Sequence, residues 1–208
     1  DGYQTFAAIN KTNGNVEWYL PTINDGIKYE YEGYLHKDCF VIVGVDSSAN
    51  ESKSSVTLFC FNLSTQQIIW QKDLLSPFGY NHNIRGIGED CYYLSCEGPL
   101  RKVLKTNIYS GDTVCVYESN VQESGMLFTG SLGLISHNNK ELLVLFEYGN
   151  QDPNTGETDK YLVVIDRDTF EIITREWVGC QSFAIDIKVR THEDKILFRM
   201  GETLYCFD

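Results

Sequence analysis

The sequence contains no long hydrophobic run. Its longest apolar stretches, residues 142–146 and 162–165, are far shorter than the roughly 20 apolar residues that a membrane-spanning helix needs. The N-terminus also lacks the basic and then apolar pattern of a signal peptide, although a signal removed by processing would leave the same sequence. We therefore expect no membrane insertion and a cytoplasmic location.

Basic side chains are also scarce. The chain has 17 lysines and arginines against 29 aspartates and glutamates, which gives a formal net charge of −12. Binding to a phosphate backbone requires clustered basic side chains, and the nearest approach to a cluster is Arg101, Lys102 and Lys105. We therefore expect no nucleic acid as a partner. An acidic chain favours a basic protein as partner, although many proteins are acidic for solubility alone.

Recognisable catalytic and metal motifs are missing as well. The sequence has no G-x-S-x-G, H-E-x-x-H, P-loop or G-x-G-x-x-G pattern. Its seven cysteines include no C-x-x-C pair, so they indicate neither a zinc site nor a disulfide framework. We expect no cofactor, and the sequence argues against an enzyme without excluding one.

What the sequence does contain is a short phrase that occurs five times: four apolar or semi-apolar residues, then Asn or Asp, then a turn. The copies lie at residues 6–10, 58–62, 103–107, 162–166 and 204–208. Trp18 and Trp70 follow the first two copies by eight residues, where the next two copies have Cys115 and Thr174. An Asn side chain can hydrogen-bond the backbone of its own turn, and glycine supplies a positive φ. Each phrase therefore predicts a strand, a tight turn and a second strand.

A second phrase alternates with the first and predicts another hairpin. It begins at His36 and recurs at residues 88–94, 137–143 and 192–198. Two hairpins per unit give four antiparallel strands in about 40 to 60 residues, which is typical of a β-propeller blade. We predict an all-β, β-propeller-like single domain over residues 1–208, with blade-like units at about 1–20, 27–75, 83–119, 126–178 and 182–208.

The number of strands predicts about four to five blades, with a two-stranded start and a three-stranded end. Such a chain is either a small closed ring or part of a larger one. We favour a small ring closed by its own termini, because an unclosed end exposes a strand edge.

The repeat gives most cysteines a structural place. Cys60 and Cys206 share one position of the first phrase, and Cys39 and Cys91 share one position of the second. Cys115 stands where the tryptophans stand. We expect these cysteines to fill small buried slots in a protein from a reducing compartment.

The order of hydrophobic strand, Asn or Asp, glycine-containing turn and a strand ending in Trp resembles the repeat of the quinoprotein-like, or PQQ-like, β-propellers. The first copy carries it most fully, from Ile9 and Asn10 through Gly14 to Trp18. The resemblance implies the blade architecture over the whole chain. It does not imply bound quinone, because the later copies lack the Trp, no adjacent cysteine pair occurs, and the chain is much shorter than the eight-bladed quinone-dependent enzymes.

The long connections contain the candidate binding residues. In a propeller, the loops between the second and third strands, here 46–55 and 148–160, share one face with the loops that join successive blades. Loops on a rigid scaffold are where binding residues concentrate, and loop 77–85 has aromatic and arginine side chains that are common at hot spots. For each candidate, ordinary packing is the alternative. The candidates on these connections are Phe78, Tyr80, His82, Arg85 and Gln181. Tyr29 and Tyr31, at the start of an inner strand, are candidates for lining the channel mouth.

Residues 152–159 alternate oxygen-bearing side chains around a glycine, as a calcium loop does. The candidate ligands are Asp152, Asn154, Glu157 and Asp159. Their spacing does not match the EF-hand, and a solvated hairpin loop explains them more simply. We predict no metal here.

Together these features predict a non-catalytic binding module that contacts another protein through its long-loop face. An acidic inhibitor or immunity-type protein that caps a basic toxin or enzyme is one concrete form. The alternative is an enzyme or a carbohydrate-binding lectin that uses the central channel of the propeller. Because propellers serve many functions, the fold alone does not choose between them.

Overall fold

The computed structural model of the protein describes residues 6–20, 27–46, 56–74, 84–97, 100–120, 132–181, 188–192, 195–200 and 203–207. Within these ranges the chain forms 17 β-strands, each paired antiparallel with the next strand of its sheet. None of the described residues belongs to a helix that is long and apolar enough to cross a bilayer. The prediction of an all-β fold built from four-stranded antiparallel units is confirmed.

The strands belong to five consecutive sheets, which we call blades I to V. Blade I contains β1 (Ala7–Ile9) and β2 (Val16–Tyr19). Blade II contains β3 (Ile27–His36), β4 (Cys39–Asp46), β5 (Val56–Asn62) and β6 (Gln67–Leu74). Blade III contains β7 (Arg85–Ile87), β8 (Asp90–Glu97), β9 (Leu100–Asn107) and β10 (Thr113–Asn120). Blade IV contains β11 (Gly133–His137), β12 (Lys140–Gln151), β13 (Thr158–Asp166) and β14 (Ile172–Gln181). Blade V contains β15 (Lys188–His192), β16 (Lys195–Met200) and β17 (Thr203–Phe207).

The blades meet at their first strands. β3 contacts β7, β7 contacts β11, and β11 contacts β15. The first strand of each blade is therefore the innermost, and the last strand of a four-stranded blade is its outer edge. This is the arrangement of a β-propeller.

The Asn or Asp of the first phrase organises the turn between the third and fourth strands. In blade III the Asn107 side-chain oxygen accepts hydrogen bonds from the backbone N–H of Tyr109 and Ser110, at 3.0 and 3.1 Å. The Gly111 N–H closes the turn by donating to the Asn107 carbonyl at 2.8 Å. Asn10, Asn62 and Asp166 accept equivalent backbone bonds in their own turns. The predicted link between this side chain and its own turn is confirmed.

In the four turns of this kind that the structure describes, the fourth residue after the Asn or Asp has a positive φ. Glycine occupies this place at Gly14 and Gly111, each with φ of 75°. Gln66 and Phe170 stand at the same place with φ of 58° and 60°. Side chains with a Cβ are strained in this region, by about 1–2 kcal/mol per residue. The turn therefore keeps the same backbone conformation even where a residue other than glycine occupies this position.

The hydrophobic core consists of clusters between successive blades. Strands sandwiched in this way are covered on both faces, which explains why consecutive residues of β4 are all buried. One cluster lies between blades I and II, one between II and III, one between III and IV, and one on the other face of blade IV. Fully buried members include Ile42, Phe61, Val41, Leu58, Leu143, Val163, Phe146 and Leu162.

At the junction of blades II and III, a tryptophan packs against the glycine of the next turn. The Trp70 indole Nε1 donates to the Ile108 carbonyl at 2.9 Å. A Cβ added at Gly111 would lie 3.0 Å from Cγ of the Trp70 ring. The turn of blade III therefore receives the indole of blade II only because Gly111 has no side chain.

The next junction is built differently. Blade III has no Trp at this place, and the residue at the glycine position of blade IV is Phe170. The half-buried Phe170 packs against the core cluster between blades III and IV, and its ring centroid lies 5.8 Å from Nζ of Lys105. A large side chain on the turn thus replaces the large side chain on the preceding outer strand.

The cysteines only partly follow the sequence prediction. Cys39, Cys60 and Cys91 are buried in the cluster between blades II and III, as expected. Cys115 and Cys206 are exposed, so the prediction was wrong for these two. The ladder irregularity in β10 falls after Cys115 and sets Cys115 opposite Leu104. The irregularity in β6 comes before Trp70, so Cys115 does not take the place of that tryptophan. Cys206 lies on β17, which no further described strand pairs on its far side.

Blades I and V remain separate sheets. No ladder joins β1 or β2 to β15, β16 or β17 among the strands that the structure describes. The closure by the two termini that the sequence favoured is therefore not seen in these strands.

Candidate binding site

Most of the binding residues predicted from the sequence lie where side chains are not described. Phe78, Tyr80 and His82 fall outside the described residues. Arg85 is the first residue of β7, is half-buried, and donates from Nη1 to the Ile84 carbonyl at 2.9 Å. For the rest only the backbone is placed: Tyr29 and Tyr31 lie on the innermost strand of blade II, and Gln181 is the last residue of β14. Their binding roles stay predictions.

The calcium candidate at residues 152–159 contains a tight turn in which backbone groups of the turn itself bond to Asp152. The Asp152 Oδ1 accepts the Asn154 N–H at 2.7 Å, and the Asp152 N–H donates to the Glu157 carbonyl at 2.7 Å. The hydrogen bonds that the Asp152 carboxylate accepts lower its pKa, the bond from the Asn154 N–H most of all. The connection expected over residues 148–160 is accordingly shorter, because β12 and β13 extend to Gln151 and Thr158. The described residues contain no group of three or more His, Cys, Asp or Glu side chains that could hold a metal ion.

One cross-strand position distinguishes blade IV from its neighbours. It lies five residues before the Asn or Asp of the repeat, opposite a residue on the outer strand. The polar pairs of blades II and III at this position are Thr57–Asp73, 3.0 Å apart, and Lys102–Glu118, 3.7 Å apart. Blade IV has Tyr161 opposite Trp177 instead. Two aromatic residues thus stand where the repeat otherwise places a polar pair.

Tyr161, Trp177 and the neighbouring Arg175 form what we call the aromatic–arginine group. The Arg175 guanidinium lies 3.8 Å from the centroid of the Tyr161 ring, a cation–π contact. The Trp177 side chain is 57% exposed, and its indole Nε1 donates to Asp159 Oδ1 at 2.9 Å. Each side chain of the group is therefore held by a specific neighbour while Trp177 stays open to solvent.

A buried carboxylate anchors this group to the preceding blade. Glu147 on β12 is 3% exposed and accepts a bond from Arg175 Nε at 2.7 Å. The hydroxyl of Tyr117 on β10 donates to the other oxygen of Glu147. Burial alone would raise the pKa of the Glu147 carboxyl, but the bonds from Tyr117, Arg175 and Ser119 outweigh it and hold that pKa below its ordinary value. Glu147 is therefore charged at neutral pH, and Arg175 is fixed in place.

The backbone beneath the group is close-packed as well. A Cβ added at Gly149 would lie 3.0 Å from Cβ of Asp159 and 3.0 Å from the Tyr161 ring. Substituting Gly149 would press on the two residues that orient Trp177 and Arg175. The group thus depends on β12, β13 and β14 together.

The aromatic–arginine group lies on the outer part of the propeller. Tyr161 is on the third strand of blade IV and Trp177 on the fourth, whereas the first strands face the centre. Tyr161 is three residues from the start of β13 at Thr158, next to the hairpin that extends towards the long-loop face. The group therefore lies on the side of the blade where the β12–β13 hairpin is, which we call the loop side, and away from the innermost strands.

The repeated phrases in the sequence do not point to this group. Trp177 does not stand eight residues after an Asn or Asp, so it did not belong to the repeated phrase. The available signal was a departure from the repeat, because aligning the blades on Asn62, Asn107 and Asp166 sets Trp177 against Asp73 and Glu118. Glu147, an acidic residue after the apolar run of β12, gave no signal of its contact with Arg175.

No protein-family model matches the sequence, and no curated protein matches it. Solved structures do match its fold. The β-propeller domain of the Trilobed protease from Pyrococcus furiosus is 10% identical, with a TM-score of 0.56 over 90% of this chain and 56% of that chain. The acylaminoacyl peptidase of Pyrococcus horikoshii is 12% identical, with a TM-score of 0.54 over 86% of this chain and 31% of that chain. At these identities the likeness shows the β-propeller fold alone, and the chain spans little more than half of the first protein's length.

Proposed function

We propose that the protein is a non-catalytic binding module that recognises another protein through the loop side of blade IV. The observation that carries this proposal is the exposed Trp177, held by Asp159 beside the stacked Tyr161 and Arg175. Trp, Tyr and Arg are the residue types most enriched at binding hot spots. Fixing them before binding lowers the entropy cost of association.

The requirements of the fold alone do not explain why a tryptophan occupies position 177. Blades II and III form the same ladder with Asp73 and Glu118 at this position, so the fold does not require an aromatic side chain there. A Trp that leaves 57% of its surface in water stabilises its own blade less than a buried one would. Contact with a partner would remove the rest of the indole from water.

The position of the group favours a protein partner over a ligand in the channel. It lies on the third and fourth strands, where a large surface can approach, and on the side of the blade where β12 and β13 are joined by their hairpin. The sequence predicts that loop 77–85 also belongs to the long-loop face. We propose that these loops contact the same partner protein as Trp177 and enlarge the interface.

The test compares Trp177→Ala with Tyr19→Ala in a quantitative pull-down of native partners. Tyr19 is a matched control, since it is 59% exposed on the outer strand of blade I. Loss of a hot-spot residue costs at least about 2 kcal/mol, so Trp177→Ala should lower partner affinity by roughly thirtyfold. Tyr19→Ala should leave recovery unchanged. Equal recovery by a folded Trp177→Ala variant would rule out this surface.

We also propose that the blades are related to the PQQ-like repeat. The residue types that carry the resemblance contact one another, because the Trp70 indole packs on Gly111 in the turn that Asn107 opens. The proposal concerns architecture and includes no quinone. Replacing Trp70 with Ala should destabilise the junction of blades II and III, and an unchanged unfolding midpoint would remove this support.

A further inference from the structure

We infer that the partner presents a basic segment, and that one of its lysine or arginine side chains stacks on Trp177. This inference rests on the proposed function and names the chemistry of the partner. It draws on three independent features of blade IV: its charge, the engagement of its own basic side chains, and the chemistry of its exposed rings.

Blade IV concentrates negative charge. Residues 140–181 contain nine aspartates and glutamates against four lysines and arginines, a net charge of −5. The whole chain has a net charge of −12, so this fifth of the sequence contributes far more than its share. A cationic surface is therefore attracted to this blade, and at physiological salt the attraction reaches about 8 Å.

The basic side chains of blade IV are already engaged. Lys140 lies 3.1 Å from Asp166, Arg167 lies 2.6 Å from Asp168, and Arg175 lies 2.7 Å from Glu147. Lys160 is fully buried, and burial lowers the pKa of its ammonium group. An acidic partner would therefore meet cations that already have carboxylate partners, whereas a basic partner would meet the blade's excess of carboxylates.

The rings themselves suit a cation. The Tyr161 ring already binds the guanidinium of Arg175 at 3.8 Å, so one internal cation–π contact exists at this place. Trp is the strongest of the three aromatic side chains for such a contact, and Trp177 is 57% exposed. The Asp159 carboxylate, which accepts the indole N–H at 2.9 Å, adds negative charge beside the ring. A partner's arginine or lysine would bind the Trp177 face as Arg175 binds Tyr161.

The experiment titrates the intact protein with three short peptides of one length, built from glycine and serine with arginine, glutamine or glutamate. NMR follows the indole N–H resonances, and Trp177→Ala assigns the one from Trp177. We expect the arginine peptide to shift the Trp177 resonance, with an affinity that falls as salt rises. Because Trp177→Ala lacks this resonance, isothermal titration calorimetry compares the variants. Trp177→Ala should bind the arginine peptide about three- to thirtyfold more weakly, the range of a cation–π contact, and Tyr19→Ala should bind it with unchanged affinity.

Other outcomes separate this inference from the proposed function. If glutamine or glutamate peptides shift the Trp177 resonance as strongly as the arginine peptide, the basic partner is wrong and protein binding stands. The same conclusion follows if no peptide acts while pull-down partners still depend on Trp177. If neutral oligosaccharides shift this resonance and peptides do not, both proposals are wrong and the surface is a carbohydrate site. A Trp177→Ala variant that keeps every partner and the peptide affinity overturns both as well.

Discussion

Replacing Gly111 with alanine tests how the blades are held together. Gly111 has φ of 75°, and an added Cβ would lie 3.0 Å from the Trp70 ring. Gly14 has the same φ in the turn of blade I, but an added Cβ there meets nothing within 4 Å. The two substitutions therefore share the backbone strain, and only Gly111→Ala disturbs a neighbouring blade.

The expected magnitudes follow from these contacts. Alanine at positive φ costs about 1 kcal/mol, which is the whole expected effect of Gly14→Ala. In Gly111→Ala the Trp70 ring must also move, which strains a packed contact and weakens its 2.9 Å bond to the Ile108 carbonyl. Overpacking and one weakened hydrogen bond together cost about 1–2 kcal/mol. We expect Gly111→Ala to lose about 2–3 kcal/mol of unfolding free energy.

Urea unfolding of both variants measures this difference. A double-mutant cycle then identifies its source, because in a Trp70→Ala background the Gly111→Ala change should cost only the backbone strain, about 1 kcal/mol. If Gly111→Ala and Gly14→Ala cost the same, or if removing Trp70 leaves the cost of Gly111→Ala unchanged, the indole does not pack on this turn as described.

Three further predictions concern strain, charge and thiol burial. Gln66→Gly should raise the free energy of unfolding by about 0.5–1 kcal/mol, because Gln66 has φ of 58° and glycine removes that strain. Glu147→Gln should cost about 2 kcal/mol at pH 7, since it removes the charge that binds Arg175. The pKa of Glu147 is lowered in the fold, so its contribution is complete above the unfolded value of about 4.3 and fades as the pH falls below it. Iodoacetamide should modify two of the five described cysteines in the folded protein and three only after unfolding, because burial raises the thiol pKa, to about 12 at Cys91. The first two are Cys115 and Cys206, and the protected three are Cys39, Cys60 and Cys91.

Each of these predictions has a clear contrary result. A less stable Gln66→Gly variant in urea would mean that the turn is not strained at this residue. A constant difference between Glu147→Gln and the wild type from pH 7 to about pH 3 would show that the Glu147 charge does not stabilise the fold. Modification of Cys60 or Cys91 as fast as Cys115, read by peptide mass spectrometry, would contradict the burial of the core between blades II and III.

The turns made the strands predictable. At Asn10, Asn107 and Asp166 a short polar side chain accepts hydrogen bonds from the backbone of its own turn. Such local contacts can be predicted from the residue type and its position in the sequence. The second strand predicted after each turn is present as β2, β6, β10 and β14. The side-chain facing was less predictable, as Cys115 shows. A shifted bulge moves a residue to the other face of its strand, and the sequence carries no sign of where the bulge falls.

The aromatic–arginine group could not be predicted because it joins distant parts of the chain. The bond between Tyr117 and Glu147 joins two blades, and Arg175 on β14 reaches Glu147 on β12 across the intervening β13. Such contacts depend on strand register and on the packing between sheets. The repeat did offer a comparison for Trp177. Blades II and III have Asp73 and Glu118 at the equivalent position, where each pairs with a polar residue on the neighbouring strand.

The blades of this protein are not interchangeable, because two of their junctions are built differently. One junction packs Trp70 on Gly111, and the other places Phe170 beside Lys105. If blade III were transplanted to follow a copy of itself, Gly111 would face an outer strand without tryptophan, and a cavity would open. If blade IV were transplanted to follow blade II, Phe170 and Trp70 would compete for one space. Any gain, loss or shuffling of blades in this chain must therefore change both sides of a junction together, and each junction is inherited as a pair.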